Sequence, residues 1–316
     1  MSRFMPAPMR AMAARAYPWQ PWLWDRPVRF LGRRMLVAAL DTWAPALLDE
    51  QWVLPLDPGL RIVSPLRDMH GRLIFTHGAT EYATAHLLER LVAREWVCVD
   101  VGANRGEYTL MLARRADRGA TYAFEPVDTL FARLEANVRL NQLSNVVTAN
   151  VAAHQYDGQC TFYVNRHNVR TGLSSLSPSD YFAEAGLEEQ TVPCVRLDSA
   201  LAGANRVDLV KIDVEGHEID VLRGARHILD AFSPIVIFEF GSPNAPASPD
   251  AADDLVSRGY DLHCVRYDAH EGATLLLLSD LQPGTLARYH SPYEPINLVA
   301  VPPRRRATVA HLLKAE

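Results

Sequence analysis

Residues 97–112 constrain this chain more than any other stretch. Val97 to Val101 is almost wholly apolar and β-branched, as a strand covered on both faces requires, while Leu110, Leu112 and Ala113 resume at helical spacing. Between them Gly102 and Gly106 remove side chains where backbone must come close to a ligand or adopt positive φ. A helix N-terminus follows, with its unpaired N–H groups. This is the pattern of a nucleotide-type binding turn.

Beyond it, strand-like and helix-like segments alternate. Strands are expected over residues 121–124, 146–151, 207–213 and 234–240, and helices over 131–140 and 218–229. Residues 81–92 read as a helix leading into the first strand, with Tyr82, Ala85, Leu88 and Leu91 on one face. A small hairpin turned at Asp57, Pro58 and Gly59 precedes it, and residues 262–267, 274–278 and 296–301 are further strand candidates. Such alternation predicts a parallel sheet with right-handed crossovers and ligands at the C-terminal ends of the strands. Asp100, Glu125, Asp213 and Glu239 all fall at such ends. A carboxylate there is poorly solvated, so it pairs with a ligand, a backbone nest or a cation. One alone reads equally as a turn or capping acid; four together weaken that reading.

Glu125 lies about 20 residues after the turn, at the tip of the next strand, where an acid can accept both ribose hydroxyls of NAD or of S-adenosylmethionine. The turn from Gly102 to Gly106 lacks the glycine spacing that admits a pyrophosphate. Asp100 just before it repels phosphate but attracts an amino group. The expected cofactor is therefore S-adenosylmethionine.

The 316 residues, 48% of them hydrophobic, suffice for a substantial core, and a net charge of -5 argues against a surface built as a whole to hold nucleic acid. Cys98, Cys160, Cys194 and Cys264 stand far apart, implying neither a disulfide framework nor a zinc site. Lysine occurs only at 211 and 314, a bias of the kind set by genome composition; a cytoplasmic, bacterial protein is expected. Residues 1–50 form a basic arm, with Arg3, Arg10, Arg15, Arg26, Arg29, Arg33 and Arg34 against Asp25 and with Trp19, Trp22 and Trp24 interleaved. It holds neither the apolar core of a secretory signal nor a membrane span. Three readings stay open: an arm packed on the domain, attachment to an anionic membrane or a partner, and a transit peptide. The main domain is expected over 51–302, and 303–316, with Arg304, Arg305 and Arg306, reads as a solvated tail.

Four blocks in order carry a resemblance: Val99 to Thr109; Phe124-Glu125-Pro126; Leu197-Asp198; and Lys211-Ile212-Asp213-Val214-Glu215-Gly216-His217-Glu218 with Val221 to Ala225. Together they resemble the FkbM-type methyltransferases over roughly residues 78–302. The resemblance implies a class I, S-adenosylmethionine-dependent methyltransferase with a Rossmann-like, mostly parallel seven-stranded sheet, helices on both faces and an antiparallel edge. It implies methylation of a hydroxyl oxygen of a sugar, polyketide or other small metabolite. It places the amino-acid tail of the cofactor on Asp100, Gly102, Asn104 and Gly106 and its ribose on Glu125, with adenine near Asn150 to Ala153.

Methyl transfer to oxygen is an in-line displacement helped by aligning the acceptor and removing its proton. Asp213, at a strand tip, can orient the hydroxyl or act as base; His217 is of a residue type whose unperturbed pKa, about 6.5, suits a base around neutral pH. Lys211 shares a strand face with Asp213 and can hold it ionised or contact the acceptor. Glu215 and Glu239 are candidate acceptor contacts. A structural ion pair for Lys211 and a helix first-turn role for His217 are the alternatives. No metal is assigned, though Asp213, Glu215 and Glu239 offer the oxygens that magnesium or calcium prefers. Residues 155–195 contain two pairing segments, around Cys160 and Cys194, flanking a long polar and aromatic loop that is expected to cover the acceptor, with Thr171 and Ser174 as contacts. The other function classes are a nucleic-acid or protein methyltransferase and a cofactor-binding module without chemistry; no nucleic-acid partner is expected.

Overall fold

A computed structural model describes residues 27–56, 59–165, 187–241, 249–268, 272–277 and 296–313, and the chain divides after Thr80 into two units. In the first, helix α1 (Pro27–Trp43) is followed by strands β1 (Gln51–Pro55) and β2 (Arg61–Pro65), paired antiparallel with Trp52 opposite Ser64. This is the expected hairpin; Asp57 and Pro58 of its turn lie outside the described residues. Helix α2 (Met69–His77) was not anticipated. Asp68 caps it by accepting from the His70 N–H at 3.0 Å, and Gly78 ends it at φ 90°. Leu40, Leu48, Leu54, Ile62, Leu66 and Ile74 make the core of this unit. The sequence reading separated residues 1–50 from 51 onward, whereas the hairpin and α2 group with α1.

The second unit runs through α3 (Tyr82–Leu91), β3 (Val97–Val101), α4 (Glu107–Arg115), β4 (Ala120–Phe124), α5 (Asp128–Leu140), β5 (Val146–Ala149) and β6 (Ala152–Ala153). It continues with β7 (Gly158–Asn165), β8 (Leu187–Val195), α6 (Leu197–Ala200), β9 (Leu209–Ile212), α7 (Glu218–Arg223), α8 (Arg226–Phe232) and β10 (Ile235–Gly241). The last elements are α9 (Pro249–Ser257), β11 (Asp261–Asp268), β12 (Gly272–Leu277), β13 (Ile296–Val301) and α10 (Arg306–Val309).

Among the described residues, eight strands form the main sheet in the order β12-β11-β13-β10-β9-β3-β4-β5. The pairs from β10 to β5 are parallel, and β13 runs antiparallel to both β10 and β11. The expected seven-stranded sheet thus carries an eighth strand, β12, outside β11. All four residues of β9 are buried, as a central strand covered on both faces must be. Phe238 and Ile212, both fully buried, each contribute roughly 1.5–3 kcal/mol by leaving water.

Two expected elements differ. The helix expected over 218–229 is two, α7 and α8, broken at Gly224, where a Cβ would lie 2.0 Å from the carbonyl oxygen of His154. The solvated tail is a correction. Arg305 reaches Asp208 Oδ1 at 2.8 Å, Arg306 pairs with Asp261, and Val309 and Leu312 are fully buried. Two of the three arginines, Arg305 and Arg306, therefore fasten the C-terminal segment to the second unit. As expected, β7 pairs with β8, Cys160 opposite Val192; with β6 they form a separate three-stranded sheet.

Candidate functional site

The β3–α4 turn has its unusual backbone where expected. Gly102 (φ 79°), Asn104 (φ 50°) and Gly106 (φ 95°) all occupy the left-handed region, which glycine and asparagine tolerate best. What crowds the glycines is protein. A Cβ on Gly102 would lie 1.8 Å from the carbonyl oxygen of Asp213, and one on Gly106 would lie 2.6 Å from Leu134 Cδ1. The turn and the segment after β9 are therefore in direct backbone contact. A second group of left-handed residues, Glu215 (φ 53°) and Gly216 (φ 96°), sits in that segment. For a residue as large as glutamate this is strain, and strain of this kind clusters at functional sites.

Glu125 stands at the end of β4. Its two carboxylate oxygens accept the Asn104 N–H at 2.8 Å and the Val127 N–H at 2.9 Å, so it ties the turn to the start of α5. Burial pushes its carboxyl up to about 7, against the two N–H groups that pull it down. Asp100, on β3, is 1% exposed; its Oδ2 accepts the Thr109 hydroxyl at 2.5 Å, and its Oδ1 has no hydrogen-bond partner. Burial raises its pKa, with Lys211 opposing. A buried carboxylate oxygen without a donor suits an ammonium group, and the Glu125 oxygens have acceptor capacity left for hydroxyls. These residues fit the amino and ribose groups of S-adenosylmethionine. Asn150 donates to Asp128 at 2.6 Å, while its own Oδ1 is buried without a partner.

Lys211 and Asp213 come together. The Lys211 ammonium, 1% exposed, donates to Asp213 Oδ2 at 2.9 Å and lies 4.2 Å from the centre of the Tyr108 ring. Burial alone would lower its pKa; Asp213, Glu81 and Asp100 outweigh that and hold the ammonium above its ordinary value. Asp213 keeps 28% of its side chain exposed. One oxygen each of Asp213, Glu215 and Glu239 lies within 4.8 Å of the others, a set that could hold a hard divalent cation. Burial and then mutual repulsion raise Glu215 and Glu239 well above the usual carboxyl range.

His217 is placed differently. Its Nδ1 lies 3.0 Å from Asp220 Oδ2, and that hydrogen bond is the main cause lowering the Asp220 pKa. His154, buried against the Tyr156 ring at 4.3 Å, belongs to the same electrostatic group. The structure thus separates a Lys211–Asp213 group from a His217–Asp220–His154 group. Thr171 and Ser174 lie outside the described residues.

Sequence reasoning missed three supports. Glu81 accepts the Tyr108 hydroxyl at 2.5 Å and the Asn297 amide at 2.6 Å, joining α3, α4 and β13, and its charge helps to hold the Lys211 ammonium protonated. Asp220 was missed as the partner of His217. Its three-residue spacing on a helix was the one available signal; Asn297 and Glu81 are 216 residues apart and gave none.

Residues 100–262, just over half of the chain, match the methyltransferase FkbM domain. The chain belongs to the FkbM methyltransferase family. A protein named methyltransferase 1 from Beauveria bassiana is 31% identical over 141 residues, which cover 40% of this chain and 57% of that one. Methyltransferase sdnD from Sordaria araneosa is 27% identical over 194 residues, 52% of this chain and 73% of that protein. The match therefore spans little more than half of the Beauveria relative. Among solved structures, methyltransferase FkbM from Methylobacillus flagellatus KT aligns with a TM-score of 0.44 at 14% identity, covering 74% of this chain and 55% of that one. The FkbM match takes in the glycine turn, Glu125 and the segment from Lys211 to Glu239. It leaves out residues 1–99, with Glu81 among them.

Proposed function

We propose that this chain is an S-adenosylmethionine-dependent methyltransferase that transfers the methyl group to a hydroxyl oxygen of a small molecule. The observation that carries the reading is the backbone contact between the glycine turn at Gly102 and the carbonyl of Asp213, next to the Lys211–Asp213 pair. A cofactor bound by the turn would have its reactive end beside a partly exposed carboxylate.

S-adenosylmethionine supplies an electrophilic methyl group on a sulfonium. The residues do the rest. Asp100 Oδ1 would receive the amino group of the tail, Glu125 would accept the ribose hydroxyls, and Asn150 would meet the adenine edge. Asp213 would accept the hydrogen bond of the acceptor hydroxyl, fix its oxygen in line and take its proton as the new bond forms. Lys211 keeps Asp213 ionised for that task. Asp213 is favoured over His217 as base because the turn abuts the Asp213 backbone, whereas His217 is engaged by Asp220.

Calorimetry with S-adenosylhomocysteine and with NADH tests the cofactor, with binding of the first alone expected. Methyl transfer to a panel of hydroxylated metabolites, read by mass spectrometry, tests the reaction. Asp213→Asn should lower the transfer rate about 10²–10⁴-fold while leaving the affinity for S-adenosylhomocysteine intact. Unchanged transfer in that variant would remove Asp213 from the chemistry.

A further inference from the structure

Charge is unevenly distributed along this chain. Residues 1–34 hold seven arginines and one acid, a net charge of +6; the whole chain carries -5, so the remainder carries -11. Within the first unit, α1 buries Val37 and Leu40 and turns its other side outward. At 100° per residue, Gly32, Met35, Ala38, Thr42 and Trp43 fall on one outward face, all of them exposed and none charged. Met35 is 64% exposed and Trp43 72%. Beside that face stand Arg34, also exposed, and Asp41, whose charge is taken by Arg72 at 2.6 Å. Arg33 lies over the Phe75 ring at 5.4 Å and so helps to fasten α1 to α2.

An uncharged helix face with an exposed tryptophan and methionine, preceded in sequence by a strongly basic stretch, has the make-up of an interfacial helix. Tryptophan favours the boundary between headgroups and acyl chains, and arginines there face anionic headgroups. No helix among the described residues is long and apolar enough to cross a membrane, so the contact would be one of lying on the surface. We propose that the N-terminal unit docks on an anionic lipid bilayer through the Met35–Trp43 face of α1, drawn there by the arginines of residues 1–34.

Co-sedimentation of the full chain with vesicles tests this. Vesicles containing about one-third phosphatidylglycerol should bind at low salt, pure phosphatidylcholine vesicles should not, and about 0.5 M salt should release the protein. Replacing Arg29 and Arg34 by alanine should weaken binding roughly fivefold per arginine. Met35→Ser with Trp43→Ser should weaken it about tenfold while S-adenosylhomocysteine binding stays unchanged. Absence of binding to the anionic vesicles overturns the proposal, as does binding that the Met35/Trp43 pair of substitutions leaves intact. So does a dimer that this pair converts to monomer without loss of vesicle binding, which would assign the face to a second copy. Duplex DNA binding that survives loss of Met35 and Trp43, without vesicle binding, would assign the arginines to nucleic acid.

Discussion

Lowering the pH from about 8 to about 6 should weaken cofactor binding through one carboxyl group, Glu125. Burial places its pKa at about 7 in the free protein, so about nine in ten molecules carry the proton at pH 6 and about one in ten at pH 8. A ribose diol donates hydrogen bonds and favours the ionised carboxylate. If binding requires that form, the S-adenosylhomocysteine Kd rises about tenfold at pH 6 over its plateau above pH 8. Close to one proton should be released per binding event at pH 6 and almost none at pH 8. Titration calorimetry in buffers of different ionisation enthalpy reads both quantities. Glu125→Gln isolates the group from the 11 histidines that titrate nearby. Its amide nitrogen would have to face the N–H of Asn104 or Val127, costing about 1–3 kcal/mol, and its affinity should lose this pH dependence. The stability of the free protein follows the same group. Because the folded-state pKa is raised above 4.5, protonation contributes stability that is complete below about 4.5 and lost as pH rises through about 7. A wild-type Kd that is flat between pH 6 and 8, or a Glu125→Gln variant with an unchanged profile, refutes the assignment.

Three further outcomes are expected. Lys211→Met leaves the buried acids without their cation and should cost about 3 kcal/mol in chemical denaturation; a cost under about 1 kcal/mol would mean that the ion pair contributes little. Gly102→Ala forces a left-handed φ and a clash with the Asp213 carbonyl, so about 3 kcal/mol of stability and most cofactor affinity should be lost together. Replacing Thr171 to Ser175 by glycines should weaken acceptor binding more than cofactor binding in paired titrations, and equal losses would count against an acceptor-selecting loop.

The strands and the acids at their tips were readable because buried parallel strands leave unbroken apolar runs, and Asp100, Glu125, Asp213 and Glu239 interrupt them at the point of exit. Lys211 and Asp213 could be paired from sequence since residues two apart share a strand face. The gathering of Glu81 and Asn297 around Tyr108 could not be read, because long-range contacts leave no local periodicity. Nor could the break at Gly224, which depends on the close approach of the His154 carbonyl from another segment. The C-terminal arginines misled for a related reason. Their partners Asp208 and Asp261 lie far off in the chain, so a fastened segment had the composition of a loose one.

The small sheet β6-β8-β7 stands apart from the main sheet in its pairing, joined only to itself among the described residues. The chain that joins β7 to β8, residues 166–186, therefore connects two strands that share no pairing with the sheet carrying Asp100, Glu125, Asp213 and Glu239. If residues 166–186 select the acceptor, the outcome that the glycine replacement tests, they are the segment to graft when a new acceptor is wanted, with the main sheet left as it is.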